Sequence, residues 1–403
     1  MGCVLRSNTE TGAEYDFMKV VYLDHAATTP IRHEVREAME PYLSESFGNP
    51  SSLHRWGREA SAALEDARAT VAKALGANTQ EIYFTRGGTE SDNLAVLGCC
   101  GFMKIHEKQL TLVVSAIEHS AVLGPAKLVS EWQGADLVTL PVSQDGVLDQ
   151  ELLRLALESG PTVVSLMWVN NETGLVFPVA EISGLVNELG GTIHTDAVQA
   201  VGKIPVSVRE SSVHLLTASG HKIYGPKGTG ILFVRSGVNL VPLLHGGGQE
   251  QALRAGTEDV AGAVGFACSL QLAVEEQQQL CKRLTALRAI LERRLLEIIP
   301  RLRINVQNAN RASHISSIAI DDVDGENLLA ALDLEGIAVS GGSACESGST
   351  QTSHVITALY GQEDSAVTVR LSLGRETTEQ DIEQAILKLT STVARLRKLE
   401  AAS

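Results

Sequence analysis

The 403-residue sequence predicts an α/β protein, a large domain on a mostly parallel sheet between helices followed by a smaller α+β domain. Three observations predict it. Short β-rich runs alternate with helical patterns through the first two thirds, and those runs are apolar on both faces, as strands covered on two sides must be. Near Gln271 the alternation gives way to long helices.

Residues 1–19 carry no apolar period and read as a flexible tail. The β-rich runs are "EIYFT", "TLVVSAIEH", "TVVSLMWVN", "GTIHTD", "VHLLTASGHK" and "GTGILFVR", with amphipathic pieces such as "LDQELLRLALES" and "PVAEISGLVNELG" between them. Beyond Gln271, "LAVEEQQQLCKRLTALRAILERRLLEIIP" predicts one long helix ended by Pro300. A second helix lies in "TTEQDIEQAILKLTSTVARLRKL", with Ile382, Ala385, Ile386, Leu389, Val393 and Leu396 on one face and Thr377 and Gln380 spaced as a capping box. "HISSIAIDDV" and "VTVRLSLG" read as strands of the smaller domain.

With 44% hydrophobic residues the chain has enough apolar material for one large core or two. A formal net charge of -15 argues against a nucleic-acid binder, because that affinity rests on clustered Lys and Arg. The six cysteines include no CxxC pair, so neither a metal site nor a disulfide scaffold is expected, and a cytoplasmic location fits. No signal peptide is seen, and no apolar run reaches the ~18 residues that a membrane span needs.

Ligands of parallel sheets sit at the carboxyl ends of the strands, and here those ends are chemically loaded. One run stops at His119, another at Asn170 and Asn171, a third at Asp196 with Gln199 three residues on, and a fourth at Ser219, His221 and Lys222. Singly, each reads as a strand-end cap; four in succession do not. In "EIYFTRGGTESDNLAVLG", Gly87 and Gly88 make a tight turn into a helix whose free N–H groups suit an anion. An anion cradle, an acid and a lysine at neighbouring strand ends are what pyridoxal 5'-phosphate requires. Its phosphate takes the helix start, its aldehyde a lysine, and its ring nitrogen a carboxylate; Asp196 and Lys222 suit the last two roles.

"YLDHAATTP", "FGNPSSLHRWG", "GGTESDNLAVLG", "MWVNNETGLVFP", "HTDAVQAVGK", "SGHKIYGPKG", "HGGGQE", "RAGTED" and "SGGSACESGS" together resemble the NifS/IscS group of cysteine desulfurases, in the class V aminotransferase family. The similarity runs from about Val20 to Leu399. It implies the pyridoxal-phosphate fold type I, with a seven-stranded sheet in a large domain at 30–277, a small domain at 278–403, and a segment at 20–29 joining the small one. It further implies that Lys222 bonds the aldehyde and acts as base, Asp196 faces the ring nitrogen, Gln199 bonds the ring oxygen with Asn171 beside it, and His119 stacks on the ring. Gly88, Thr89, Ser219 and His221 would hold the phosphate, joined by Thr257 from the second subunit of a homodimer. Arg370 would clamp the substrate carboxylate beside Asn171.

One cysteine, Cys345, sits in "AVSGGSACESGSTQTS", where nothing nearby buries it and the glycines leave the backbone free. The resemblance makes it the nucleophile that takes sulfur from L-cysteine as a persulfide, leaving L-alanine, and passes it to an acceptor or iron-sulfur scaffold protein. Selenocysteine is the rival substrate, and a non-catalytic scaffold the rival class. Two residues depart from the family pattern. Arg86 stands where Ser is common before the glycine pair, and Glu346 follows the nucleophile where Thr or Ser is common. The other cysteines, Cys99, Cys100, Cys268 and Cys281, read as packing residues.

Overall fold

The computed structural model describes residues 20–107, 109–342 and 353–400. The chain enters on strand β1 (Val21–Tyr22), followed by helices α1 (His33–Ser44) and α2 (Arg55–Leu75). It then alternates through β2 (Ile82–Thr85), α3 (Gly88–His106), β3 (Thr111–Ser115), α4 (Ser120–Gln133), β4 (Asp136–Leu140), α5 (Gln150–Glu158), β5 (Thr162–Ser165), α6 (Val179–Glu188), β6 (Thr192–Asp196), α7 (Val208–Ser211), β7 (Leu215–Ser219) and β8 (Gly230–Val234). These seven strands form one sheet in the order β2-β8-β7-β6-β5-β3-β4. All neighbours are parallel except β8, which opposes both β2 and β7.

The six apolar runs correspond to β2, β3, β5, β6, β7 and β8. Every residue of β3, β5, β7 and β8 is buried, which is why those runs read as apolar on both faces. The seventh strand, β4, lies at the edge with only Leu140 buried, so its sequence lacks that signal. Two runs outlast their strands. β3 ends at Ser115 and β5 at Ser165, and His119 and Asn171 sit in the turns that follow.

The long helix α8 (Val260–Ile298) starts twelve residues before the predicted Leu272, with Asp259 accepting from Gly262 N at 2.9 Å as its cap. Its first half packs Phe266 and Leu270 into the large core; Leu284, Leu287, Leu291 and Leu295 belong to a second core. Residue 277 therefore lies inside a continuous helix. Around the second core come β9 (Leu302–Ile304), β10 (Ile315–Ile320), α9 (Gly325–Leu334), β11 (Ile337–Ala338), β12 (Ser340–Gly341), β13 (Val367–Ser372) and α11 (Glu379–Glu400), while α10 (His354–Tyr360) packs Val355 and Leu359 into the large core. Four of these strands form an antiparallel sheet, β12-β13-β10-β9, while β1 pairs with β11.

α11 buries Ile382, Ala385, Ile386, Leu389 and Val393, the face its periodicity predicts. Its capping box, however, is one residue later than expected. Thr378 Oγ1 accepts from Asp381 N at 3.2 Å and Asp381 Oδ2 accepts from Thr378 N at 2.9 Å, whereas Thr377 Oγ1 accepts from Gly374 N. Aspartate reaches back as well as glutamine does. Cys99 and Cys100 are buried as packing residues; Cys268 and Cys281 are only half-buried.

A strained turn closes the edge near β2. Glu250, Gln251 and Ala252 have successive φ values of 45°, 55° and 64°, a left-handed run that non-glycine residues avoid. A buried ion pair holds it. Arg68 contacts both Glu250 oxygens at 2.7 and 2.9 Å, and Phe84 N donates to Glu250 Oε2 at 2.9 Å. Glu250→Gln should lower stability by about 3 kcal/mol because it strands a buried guanidinium, whereas Glu59→Gln, in an exposed pair with Arg55, should cost under ~0.5 kcal/mol. Urea unfolding midpoints check the contrast, and equal costs would contradict it.

Candidate active site

At the carboxyl ends of the parallel strands a cleft encloses about 1140 Å³, its open mouth included. Ten expected residues line it: Gly88, Thr89, His119, Asn171, Asp196, Gln199, Ser219, His221, Lys222 and Arg370. Thr257 does not; it is exposed on its own chain. Cys345 and its neighbour Glu346 lie outside the described residues. The segment that carries them is bounded by Gly342 and Ser353, and both ends meet Glu172 of the cleft wall. Ser353 Oγ donates to Glu172 Oε2 at 2.6 Å, and a Cβ on Gly342 would stand 3.0 Å from that oxygen.

The anion cradle follows from two glycines. Gly87 caps α3 at φ 133°, in a region closed to other residues, and a Cβ on Gly88 would approach Val198 Cγ2 to 2.9 Å. The start of α3 is thereby brought against the turn after β6, with Ser219 and His221 across the cleft. Arg86 points away: its NH1 binds Asp259 Oδ2 at 2.7 Å on a half-exposed side chain.

Lys222 follows β7 on a single turn of tight helix, and its Nζ donates to the Ala26 and Ala27 carbonyls at 2.7 and 2.6 Å. Asp196 ends β6, with Oδ1 accepting from Val198 N at 2.9 Å. Burial raises its carboxyl above the ordinary range, while His119, the Val198 N–H and Lys222 pull it back down. His119 caps α4. Its Nδ1 accepts from Ala121 N at 3.1 Å, so the proton of the neutral ring belongs on Nε2. His221 Nδ1 pairs with Thr28 Oγ1 at 3.2 Å, and burial beside Lys222 lowers its imidazole to about 4.

Arg370 comes from β13, which lies between β12 and β10, and only 1% of it is exposed. It is no surface charge. NH2 holds Asp24 Oδ1 at 2.8 Å and NH1 donates to the Asn171 carbonyl at 2.9 Å. A helix start shaped by glycine, a buried carboxylate flanked by cations and an amine facing one cleft fit pyridoxal phosphate.

A family model for class V aminotransferases matches residues 21–385. The chain belongs to the class V aminotransferase family. Within it, a cysteine desulfurase IscS from Dictyoglomus turgidum is 43% identical over 380 residues, covering 94% of this chain and 96% of that one. A cysteine desulfurase NifS from Azotobacter vinelandii is 41% identical over 384 residues, covering 95% and 94%. Among solved structures, a NifS-like protein superposes with a TM-score of 0.87 at 34% identity, over 94% of this chain and 100% of the other. These likenesses put this class V aminotransferase in the NifS/IscS group.

Four polar residues of this family member escape a reading of its sequence. Asp24 stands in "YLDHAATTP", but nothing in that stretch marks it as a partner of Arg370. Asp92 is buried in α3 behind Asp196 and is raised well above an ordinary carboxyl, first by burial and then by Asp196. Glu172 accepts from Ser353 Oγ at one end of the segment that carries Cys345 and lies beside Gly342 at the other. Glu118 adjoins His119; its Oε1 accepts from Ser115 Oγ at 2.5 Å and Met167 N at 3.0 Å, while Oε2 has no hydrogen-bond partner among the described residues. Charged residues beside turns are ordinary in sequence, and only helices packed over them make these buried.

Burial pushes Glu118 up to about 8. A raised acid contributes stability that is complete below its unfolded value of 4.5 and lost as pH climbs through about 8. Depressed histidines act oppositely. His25 at about 4 and His194 at about 3 contribute stability above 6.5 that is lost as pH falls through those values. Glu118→Gln should therefore gain stability over the wild type progressively between pH 4.5 and 8, while its acid limb stays unchanged. Melting temperatures measured across that range check it; parallel wild-type and variant curves would contradict it.

Proposed function

We propose that this protein is a cysteine desulfurase: it converts L-cysteine to L-alanine and carries the sulfur away on Cys345. The observation that supports this reading is the meeting of Lys222, Asp196 and Arg370 in one cleft whose wall residue Glu172 bonds Ser353 and lies beside Gly342, the two residues that bound the Cys345 segment. Pyridoxal phosphate, bonded at Lys222, supplies the electron sink that lets the α-proton and then the sulfur leave.

The chain's own groups do the rest. Arg370 presents a planar guanidinium to the substrate carboxylate, already oriented by Asp24 and the Asn171 carbonyl. Lys222 would hold the cofactor's aldehyde carbon, and its Nζ would take the substrate's α-proton. Asp196, close to Lys222 and His119, keeps the negative charge that holds the ring nitrogen protonated. His119, with its Nε2 proton facing the cleft, stacks on the ring and hands protons to and from the sulfur groups. Gly88, Thr89, Ser219 and His221 would hold the phosphate, and Gln199, with Asn171 beside it, would hydrogen-bond the ring oxygen.

Cys345 is three residues beyond Gly342 in the sequence. A thiol near its reference pKa of about 8.5 is only a few per cent thiolate at neutral pH, so nearby positive charge or a base must help at the attack; His119 can be that base only after its Nε2 has given up its own proton in the cleft. Thr257 is exposed on its own chain and serves the phosphate of a second copy, which makes the working unit a homodimer. The persulfide then passes to an acceptor protein of iron-sulfur or other sulfur-cofactor assembly. Among the described residues no helix is long and apolar enough to cross a membrane.

Wild-type holoenzyme given L-cysteine and a reductant should release alanine and sulfide in equal amounts. Cys345→Ser should keep the bound-cofactor absorbance and lose sulfide release. Lys222→Ala should lose that absorbance and turnover together. Undiminished sulfide from the first variant, or turnover by the second, would overturn the assignment. Selenocysteine offered in parallel reads which amino acid is preferred.

A further inference from the structure

Lys203 lies four residues beyond Gln199, on the inner side of the cleft. Its Nζ donates to Gln199 Oε1 at 2.5 Å, and His314 Nε2 stands 3.3 Å from the same oxygen. Gln199 Nε2 then donates to the Ala26 carbonyl at 2.8 Å, the carbonyl that also receives Lys222 Nζ. Flipping this amide would set its NH2 group against the Lys203 nitrogen and its oxygen against the Ala26 oxygen. Only one orientation satisfies both neighbours.

Behind the cleft is a second cavity of about 490 Å³, bordered by Lys203, His25, His314 and Lys222; Lys222 borders both spaces. Glu276 is the one carboxylate on its wall among the described residues, and it is bound by Arg32 at 2.9 Å and Arg375 at 3.1 Å. The phenol of Tyr224, pushed up to about 12, is neutral. Lys222 and Arg370 are the cations that bear on Lys203, and among the described residues no carboxylate forms an ion pair with it.

We propose that Lys203 is a positioning residue of the site: as a hydrogen-bond donor, not as a cation, it fixes the Gln199 amide and through it the Ala26 carbonyl that Lys222 contacts. An ammonium would face burial and two like charges without compensation. Both effects push the Lys203 amine well below its ordinary value, and a neutral amine still donates. His25 and His314 are depressed first by their own burial, so neither adds a charge to the cavity near neutral pH.

The kinetic part of the test rests on the cysteine desulfurase reading; the spectroscopic part needs only bound pyridoxal phosphate. In holoenzyme, Lys203→Met should lower kcat about tenfold, the rate equivalent of one neutral hydrogen bond, with KM for cysteine within about twofold. Lys203→Gln, a neutral donor, should restore most of kcat. The pH midpoint of the Lys222-bound cofactor's absorbance should stay within about 0.3 of wild type in Lys203→Gln and fall in Lys203→Arg, whose permanent charge opposes a protonated neighbour. A wild-type kcat in Lys203→Met, or a midpoint about one unit higher in both neutral variants, would overturn the proposal. If Lys203→Met does not fold, the Gln and Arg variants decide alone: a wild-type midpoint in Lys203→Arg means that Lys203 was charged already. Should the wild type release no alanine from cysteine, the functional reading fails while the absorbance comparison still judges Lys203.

Discussion

The Ala26 carbonyl is the point on which the rest of the site depends. It accepts from Lys222 Nζ at 2.7 Å and from Gln199 Nε2 at 2.8 Å, joining the turn after β7 to the turn after β6. It is held in place from the small sheet. Val21 and Leu23 are buried in the second core, β1 pairs with β11, and Asp24 ties Arg370 at 2.8 Å. Beyond it, Thr28 meets His221, and Thr29 Oγ1 both donates to the His221 carbonyl at 2.8 Å and accepts from Tyr224 N at 2.8 Å. A short turn thus sets the distance between an amine on one sheet and a guanidinium on the other.

Electrostatics in this buried space is decided by which carboxyl has cations beside it. Asp92, Glu118 and Asp196 are all raised by burial, but only Asp196 has His119 and Lys222 pulling the other way. Negative charge therefore collects on Asp196, facing the cleft. Behind it, His194 links Ser165 Oγ at 2.8 Å to Thr217 Oγ1 at 3.0 Å and stays neutral at about 3, so no second cation competes for that charge. The same low dielectric that makes an unpaired charge costly makes the few paired ones effective.

Much of this was legible beforehand because the signals are local. A strand buried on both faces must be apolar throughout, so β3, β5, β7 and β8 declared themselves, while the edge strand β4 did not. Gly87 and Gly88 marked the cradle because no side chain fits there. Asp24, Asp92, Glu118, Glu172 and Lys203 left no such mark. Their roles come from partners far along the chain, as with Arg370 for Asp24 and Ser353 for Glu172. The early start of α8 was hidden for a similar reason: Val260–Leu270 is packed nearly all round, so its helical period is blurred.

Sequence alone therefore determined the class of fold, the order of strand and helix, and which residue types stand at the strand ends, since each follows from spacing along the chain. Tertiary structure alone decided which of those residues are buried, which carboxyl keeps its charge, and that the segment at Asp24–Thr29 crosses from one sheet to the other. The physical reason is that burial and electrostatic pairing depend on distances in space. Residues as far apart as Asp24 and Arg370 acquire a common distance only when two cores have packed along one helix.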